Sequence, residues 1–521
     1  MERTDKKEGN SHSKPVENKP VSTAEQDLVE IARGGGIAFV GQIATRSLGY
    51  LYNLGLIWAL GVEPFGLFIL SMTIVSFIGI ISSLGLPFGI IRFGAMDLSK
   101  SGKKGVHTVT LAALKVLIPS TLFFTLITFF SAASIANSIF HKPLMTSTIQ
   151  MLSWGIPFIG LQSVFLAATR AMKEMKYTTI VNVIQPVLAL FLALILVLFR
   201  MGVRGAVYAY NISFIVGAFL SLFYYLKMIP RKERARQPFA TGALLKFSIP
   251  LSITEWVHYA NERTEVFFLG LLPSTAAISI YKIAWSLAGL EPLLRLSLEQ
   301  VLAPFSSDLA HRREISQLGS LYKATAKWGF SAALMLFFIY LLIGNALLAI
   351  FNITDPLATT VLIILAAAQL FNEFTGGCNT VLIMSGRSDL TMLNTILLLG
   401  MNFGLNYWLI FQYGLIGAAI AGAISVVIIN TLRVLEVWWT LKIHPFKLSF
   451  IPPAVIGFCA ASLIFMIQTF FRVESVWINL GMGILYCLIY LFAVTNIFID
   501  QEDQYVLDAF RRRLQKRKPA T

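Results

Sequence analysis

The stretch from 240 to 270 sets Glu255, His258, Glu262 and Glu265 at steps of three, four and three. On an α-helix those steps place all four on one side, with Asn261 and Arg263 at its shoulders. The surrounding residues are apolar enough for a bilayer, where a central Arg, Lys or Asp costs about 2.5 to 3.5 kcal/mol, so the stripe is expected to face protein or water. It reads as the wall of an internal cavity; the alternative is an ion-pair network that locks this helix to its neighbours. The next stretch, 273 to 305, carries Lys282 and then Glu291, Arg295 and Glu299 at four-residue steps after Gly289 and around Pro292. These form either a second charged wall or pairs within their own helix. Arg46 stands in the middle of 34 to 62 beside Gln42, Thr45 and Tyr50, with no acid nearby in its own helix. It needs an anion or a water-filled cavity. Glu373, Arg433 and Glu436 are further candidates, of which the last two, three apart, could instead pair with each other.

The elements that must carry these residues follow from composition. Of 521 residues, 56% are hydrophobic and 13% charged, against about 25% charged in a soluble domain. Mean hydropathy is +0.71. Apolar segments fall near 34–62, 64–92, 106–131, 144–170, 178–200, 203–227, 240–270, 273–305, 320–351, 356–386, 388–411, 415–441, 450–472 and 475–499. The expected fold is therefore all-α and polytopic, with about fourteen transmembrane helices. Lys and Arg cluster in the even loops, as in Arg92 to Lys104, Arg170 to Lys176, Lys227 to Arg236, Arg312-Arg313, Arg387 and Lys442, whereas odd loops such as GVEP and NITDP are poor in them. That asymmetry puts the even loops and both termini in the cytoplasm, and it accounts for the net charge of +15 without nucleic acid.

An internal repeat needs no gaps: Asn182 and Asn394, Gly202 and Gly414, Gly205 and Gly417, Ala206 and Ala418, Ala209 and Ala421, and Ser213 and Ser425 all differ by 212 positions. Six segments separate the copies, so two six-helix halves are expected in the same orientation about an axis along the membrane normal. The expected organisation is a polar cytoplasmic tail at 1–33, a first lobe at 34–227, a linker at 228–239 and a second lobe at 240–441. Two extra helices follow in 442–499, and a basic tail at 500–521. The tail at 1–33 lacks the apolar core of a signal peptide. The three cysteines, Cys378, Cys459 and Cys487, have no metal-site or disulfide spacing, and no cofactor or metal is expected.

The run GYLYNLGLIWALGVEPFGLFILSMTIVSFIGIISSLGLPFGIIRFGA resembles the opening of oligosaccharide flippases of the polysaccharide transporter family, within the multidrug/oligosaccharidyl-lipid/polysaccharide exporter superfamily, through Leu60-Gly61, Phe65-Gly66, Gly85 and Arg92. The run RTEVFFLGLLPSTAAISIYKIAWSL is similar to that family's junction of segments seven and eight, with Glu265 at a position where relatives often carry Asp. The resemblance implies a transporter that moves a polyprenyl-linked oligosaccharide from the cytoplasmic to the outer leaflet by alternating access, for cell-surface glycan synthesis. With such a cargo, Arg46 and Arg263 become the candidates for the lipid diphosphate, which a guanidinium binds bidentately; the alternative is that each pairs with a carboxylate of the opposite half. His258, Asn261 and Arg295 are further cargo contacts; Glu255, Glu262, Glu265, Lys282, Glu291 and Glu373 line the cavity or carry a coupling proton or sodium ion.

An embedded enzyme is not expected, because the odd loops are too short to build an acceptor site, and no GxxxxGKS run marks an ATPase. Membrane lipids and glycosyltransferases of the same pathway are the expected partners. The rival readings are a cation-coupled multidrug exporter of the same superfamily and a peptidoglycan-precursor flippase. Arg46, Arg263 and Arg295 favour an anionic cargo over an organic cation.

Overall fold

The computed structural model describes residues 44–230, 239–290, 306, 309, 312–473 and 475–497. Among them no strand occurs, as the all-α expectation requires. Helix α1 covers 44–60, and α2 runs Val62–Ser82. Next come α3, Leu86–Ser134, α4, Met145–Ser153, and α5, Ile156–Ala171. The first half closes with α6, Met175–Leu198, and α7, Gly202–Met228. The second half has α8, Thr241–Gly270, α9, Ala276–Ala288, α10, Ile315–Ala349, and α11, Pro356–Phe374. It continues with α12, Cys378–Met384, and α13, Ser388–Leu441, followed by α14, Ile451–Phe470, and α15, Val476–Ile497.

Ten stretches among the described residues are long and apolar enough to cross a membrane. Their outer surfaces leave large side chains such as Phe130, Phe191, Phe219, Phe470 and Trp477 exposed, as a lipid-facing belt requires. Helix α8 is not among the ten, because Glu255, Glu262, Arg263 and Glu265 interrupt its apolar run. The expected segments two, four and ten are each broken. Between α2 and α3 the chain turns at Leu84, with φ 49°, and Gly85, with φ 66°. A Cβ on Gly85 would collide with the Ser248 carbonyl of α8, so glycine and a left-handed turn are both required there. A turn at Trp154-Gly155 separates α4 from α5, and Gly376, with φ 63°, separates α11 from α12 against Ala326.

The 212-residue repeat reappears as backbone geometry. Gly202 has φ 53° and Gly414 has φ 56°, so each copy folds back on a left-handed glycine; in α13 this divides one hydrogen-bonded run into two arms. Gly205 packs on Leu196 and Gly417 on Leu409, while Ala206, Ala418, Ala209, Ala421, Ser213 and Ser425 are all buried. The halves meet along α2, which packs on α8 and α9, and along α3, which packs on α8. One apolar core runs through both, from Leu56 and Phe68 to Leu362 and Ala418. Helices α14 and α15 pack on α10 and on each other, with the Tyr490 hydroxyl donating to Ser331 O at 2.8 Å.

Candidate functional site

Helix α8 lies against α2 and α3 on one side and α9 and α13 on the other, and it distributes its charged residues between them. His258 and Glu262 lie one turn apart, Nε2 to Oε1 3.6 Å, with both side chains more than half exposed. Glu255 is half-buried one turn before His258. Asn261 turns to α13 and accepts from Asn402 Nδ2 at 2.8 Å; Asn406 in turn donates to the Asn402 carbonyl at 2.8 Å. Glu265 is half-buried, within electrostatic reach of Arg263, Lys282 and Glu262, and sits beside Gly422 of α13. The expected face of four therefore divides along its length: one end is open, and the Glu265 end is packed between α9 and α13.

Arg263 faces the first half. Its guanidinium carbon lies 5.6 Å from the centre of the Tyr259 ring, and its Nε is buried without a hydrogen-bond partner among the described residues. Tyr259 stacks on Phe77 of α2, with ring centres 5.8 Å apart and planes at 13°, and its hydroxyl donates to Thr73 O at 3.1 Å. Next to it, the hydroxyls of Tyr210 and Ser76 are 3.3 Å apart, and Tyr52 contributes a buried hydroxyl with no hydrogen-bond partner among the described residues. The arrangement is a guanidinium presented across the interface to a cluster of hydroxyls. That donor set suits a phosphate or sugar oxygen.

The other expected residues stand apart from this centre. Arg46 is exposed on α1 beside Tyr50, whose hydroxyl donates to the Gly289 carbonyl at 2.9 Å. Glu373 is buried inside the second half, next in sequence to Asn372, which accepts from Asn430 at 3.0 Å. Glu436 is buried and accepts from Asn394 at 2.7 Å. Glu291, Arg295 and Glu299 lie outside the described residues. Sequence reasoning missed Tyr259, Tyr210, Ser76 and Asn402, although Tyr259 stands one turn before Arg263 on a helix already singled out. It also missed Lys142, which is buried and donates to the carbonyls of Leu272 at 2.6 Å, Gly270 at 2.7 Å and Phe140 at 3.3 Å, tying the first half to the end of α8.

The family model described as polysaccharide biosynthesis protein matches residues 31–310, more than half of the chain, including Arg263 and the hydroxyl cluster opposite it but not α13. The chain belongs to that family. Among curated proteins, the chain is similar to the probable low-salt glycan biosynthesis flippase Agl15 of Haloferax volcanii (strain DS2), at 23% identity over 259 residues, which is 49% of this chain. The match spans about half of that relative, 53% of its length. Among solved structures, the lipid II flippase MurJ in an inward closed conformation has a TM-score of 0.70 at 15% identity, covering 88% of this chain and 98% of that one. An inward-facing multidrug resistance MATE family transporter of the MOP superfamily has a TM-score of 0.60 at 16% identity, covering 76% of this chain and 94% of that one. The fold is the one these transporters share, and the resemblance read from the sequence to the flippases of this superfamily is borne out.

Proposed function

We propose that this protein is a flippase that carries a polyprenyl-(di)phosphate-linked oligosaccharide across the cytoplasmic membrane by alternating access, with both termini in the cytoplasm, and that it performs no covalent chemistry on its cargo. The observation that carries the reading is Arg263, held at the interface of the halves with an Nε unmatched among the described residues and hydroxyls opposite it. A guanidinium kept in that condition suits a diphosphate, and hydroxyl-rich surroundings suit the sugar beyond it. An apolar groove of about 430 Å³ between α10 and α14, lined by Phe330, Phe450 and Phe458 among others, offers a place for a polyprenyl chain. The similarity to Agl15 and MurJ, both named as flippases, supports the same class of cargo.

Loss of the gene in its host tests this. The lipid-linked oligosaccharide is expected to accumulate where a glycan-binding probe added outside the cell does not reach it, and surface glycan is expected to fall. Normal surface glycan together with sensitivity to cationic dyes would instead support the cation-coupled exporter, for which the exposed carboxylate of Glu262 beside His258 is the favouring observation. Accumulation of a peptidoglycan precursor alone would assign the cargo to cell-wall synthesis.

A further inference from the structure

We propose that Tyr259 is the positioning residue for Arg263, and that its tether to the first half makes the anion site conditional on contact between the halves; this rests on the reading of Arg263 as an anion ligand. Four observations converge on the one side chain. The ring lies under the Arg263 guanidinium at 5.6 Å, within the distance at which a cation is drawn to an aromatic face. Phe77 of α2 stacks on the same ring at 5.8 Å and 13°, so the ring cannot turn away without breaking a contact with the first half. The hydroxyl donates to the Thr73 carbonyl of α2 at 3.1 Å, and Arg263 and Ser76 are also within hydrogen-bonding reach of it.

The fourth is the state in which this leaves Arg263. A buried guanidinium N–H is normally satisfied, because leaving one without a partner costs the desolvation of a charged group, and the half-buried Arg263 has its Nε inside. Here Nε has none among the described residues while the π face is held. Tyr259 thus supplies what an anion site needs: it keeps the guanidinium oriented without using all of its donors. Because Thr73 and Phe77 belong to α2 and Arg263 to α8, separating the halves removes the support from behind the guanidinium. An anion bound to Arg263 therefore favours the arrangement in which the halves are in contact, and movement of the halves away from that arrangement lowers its affinity. The Tyr210 and Ser76 hydroxyls, 3.3 Å apart and beside the same ring, can donate to several oxygens of a sugar phosphate, whereas a lipid alcohol offers them a single oxygen.

The test is binding of farnesyl diphosphate, with farnesol as the uncharged control, to the full chain in phosphatidylcholine nanodiscs. Tyr259→Leu removes ring and hydroxyl, and diphosphate affinity is expected to fall about tenfold, in the range of a desolvated cation–π contact, with farnesol affinity unchanged. Tyr259→Phe keeps the ring but drops the tether, and an intermediate loss of about threefold is expected. A general packing defect would weaken both ligands together, and that result overturns the proposal. So does wild-type diphosphate affinity in the Leu variant. Should the Leu variant not fold, the Phe variant decides alone, and wild-type affinity there rules out the tether. Arg263→Ala separates the two levels: loss of diphosphate binding there with none in the Tyr259 variants keeps the anion site and discards Tyr259, whereas undiminished binding in Arg263→Ala removes both.

Discussion

Arg263 and Glu265 stand two residues apart on α8, the first over the Tyr259 ring that stacks on α2 and the second beside Gly422 of α13, so substitutions at each are expected to report on different steps. Arg263→Ala should abolish transport with the protein still inserted, and Arg263→Lys should retain only part of it, because a point charge replaces a planar fork. Transport normalised to the amount of protein in the membrane is the measurement. Glu265 is packed between α9 and α13 within reach of Lys282 and Arg263, and Arg263 would lose a balancing charge without it. Glu265→Gln should therefore change apparent cargo affinity and leave the dependence on a proton or sodium gradient as it was; transport that no longer responds to the gradient would assign Glu265 to ion coupling instead. The charged residues of α8 were legible because charge in an apolar helix is conspicuous. Tyr259 and Tyr210 were not, because in a chain with 40 Phe and 16 Tyr no aromatic residue stands out until its neighbours are known.

Between elements, the first half holds the end of α8 by its carbonyls. Lys142 caps Gly270 and Leu272, Thr275 donates to the Glu63 carbonyl at 2.8 Å, and a Cβ on Gly66 would collide with the Thr275 carbonyl. A lysine at a helix C-terminus satisfies carbonyls that the helix cannot, and it complements the negative end of the dipole. Burial pushes the Lys142 ammonium below the usual lysine range, so its hold depends on keeping all three acceptors close. Lys142→Met should cost about 2 kcal/mol at this contact. It should also raise the labelling of a Thr275→Cys variant by an impermeant thiol reagent. Unchanged labelling would mean that the contact is held elsewhere. The repeat was legible at this scale because its glycines are required by left-handed backbone at Gly202 and Gly414. The break between α2 and α3 was not, since hydropathy stays high through Ser83, Leu84 and Gly85, and the reason for the break is the approach of Ser248, far away in sequence.

For the whole molecule, length, composition and the spacing of apolar segments were enough to predict an all-α membrane fold, and the structures it resembles have that fold. The way the halves meet was out of reach, because it depends on which faces of α2, α3 and α8 touch rather than on any segment alone. The asymmetry of Lys and Arg predicts a cytoplasmic location for the loop at Lys103. A Lys103→Cys variant in intact cells should resist an impermeant thiol reagent, and labelling equal to that of a Thr354→Cys variant in the exposed odd loop NITDP would reverse the orientation. The central claim, that the interface around Arg263 carries an anionic lipid-linked glycan, is tested most directly by reconstituting the protein in vesicles with a fluorescent polyprenyl-diphosphate oligosaccharide and measuring how fast an external quencher or glycosidase gains access to the inner-leaflet pool. Wild-type protein is predicted to expose that pool and Arg263→Ala to leave it protected; equal exposure by both, or by neither while a cationic dye is moved, would contradict the account.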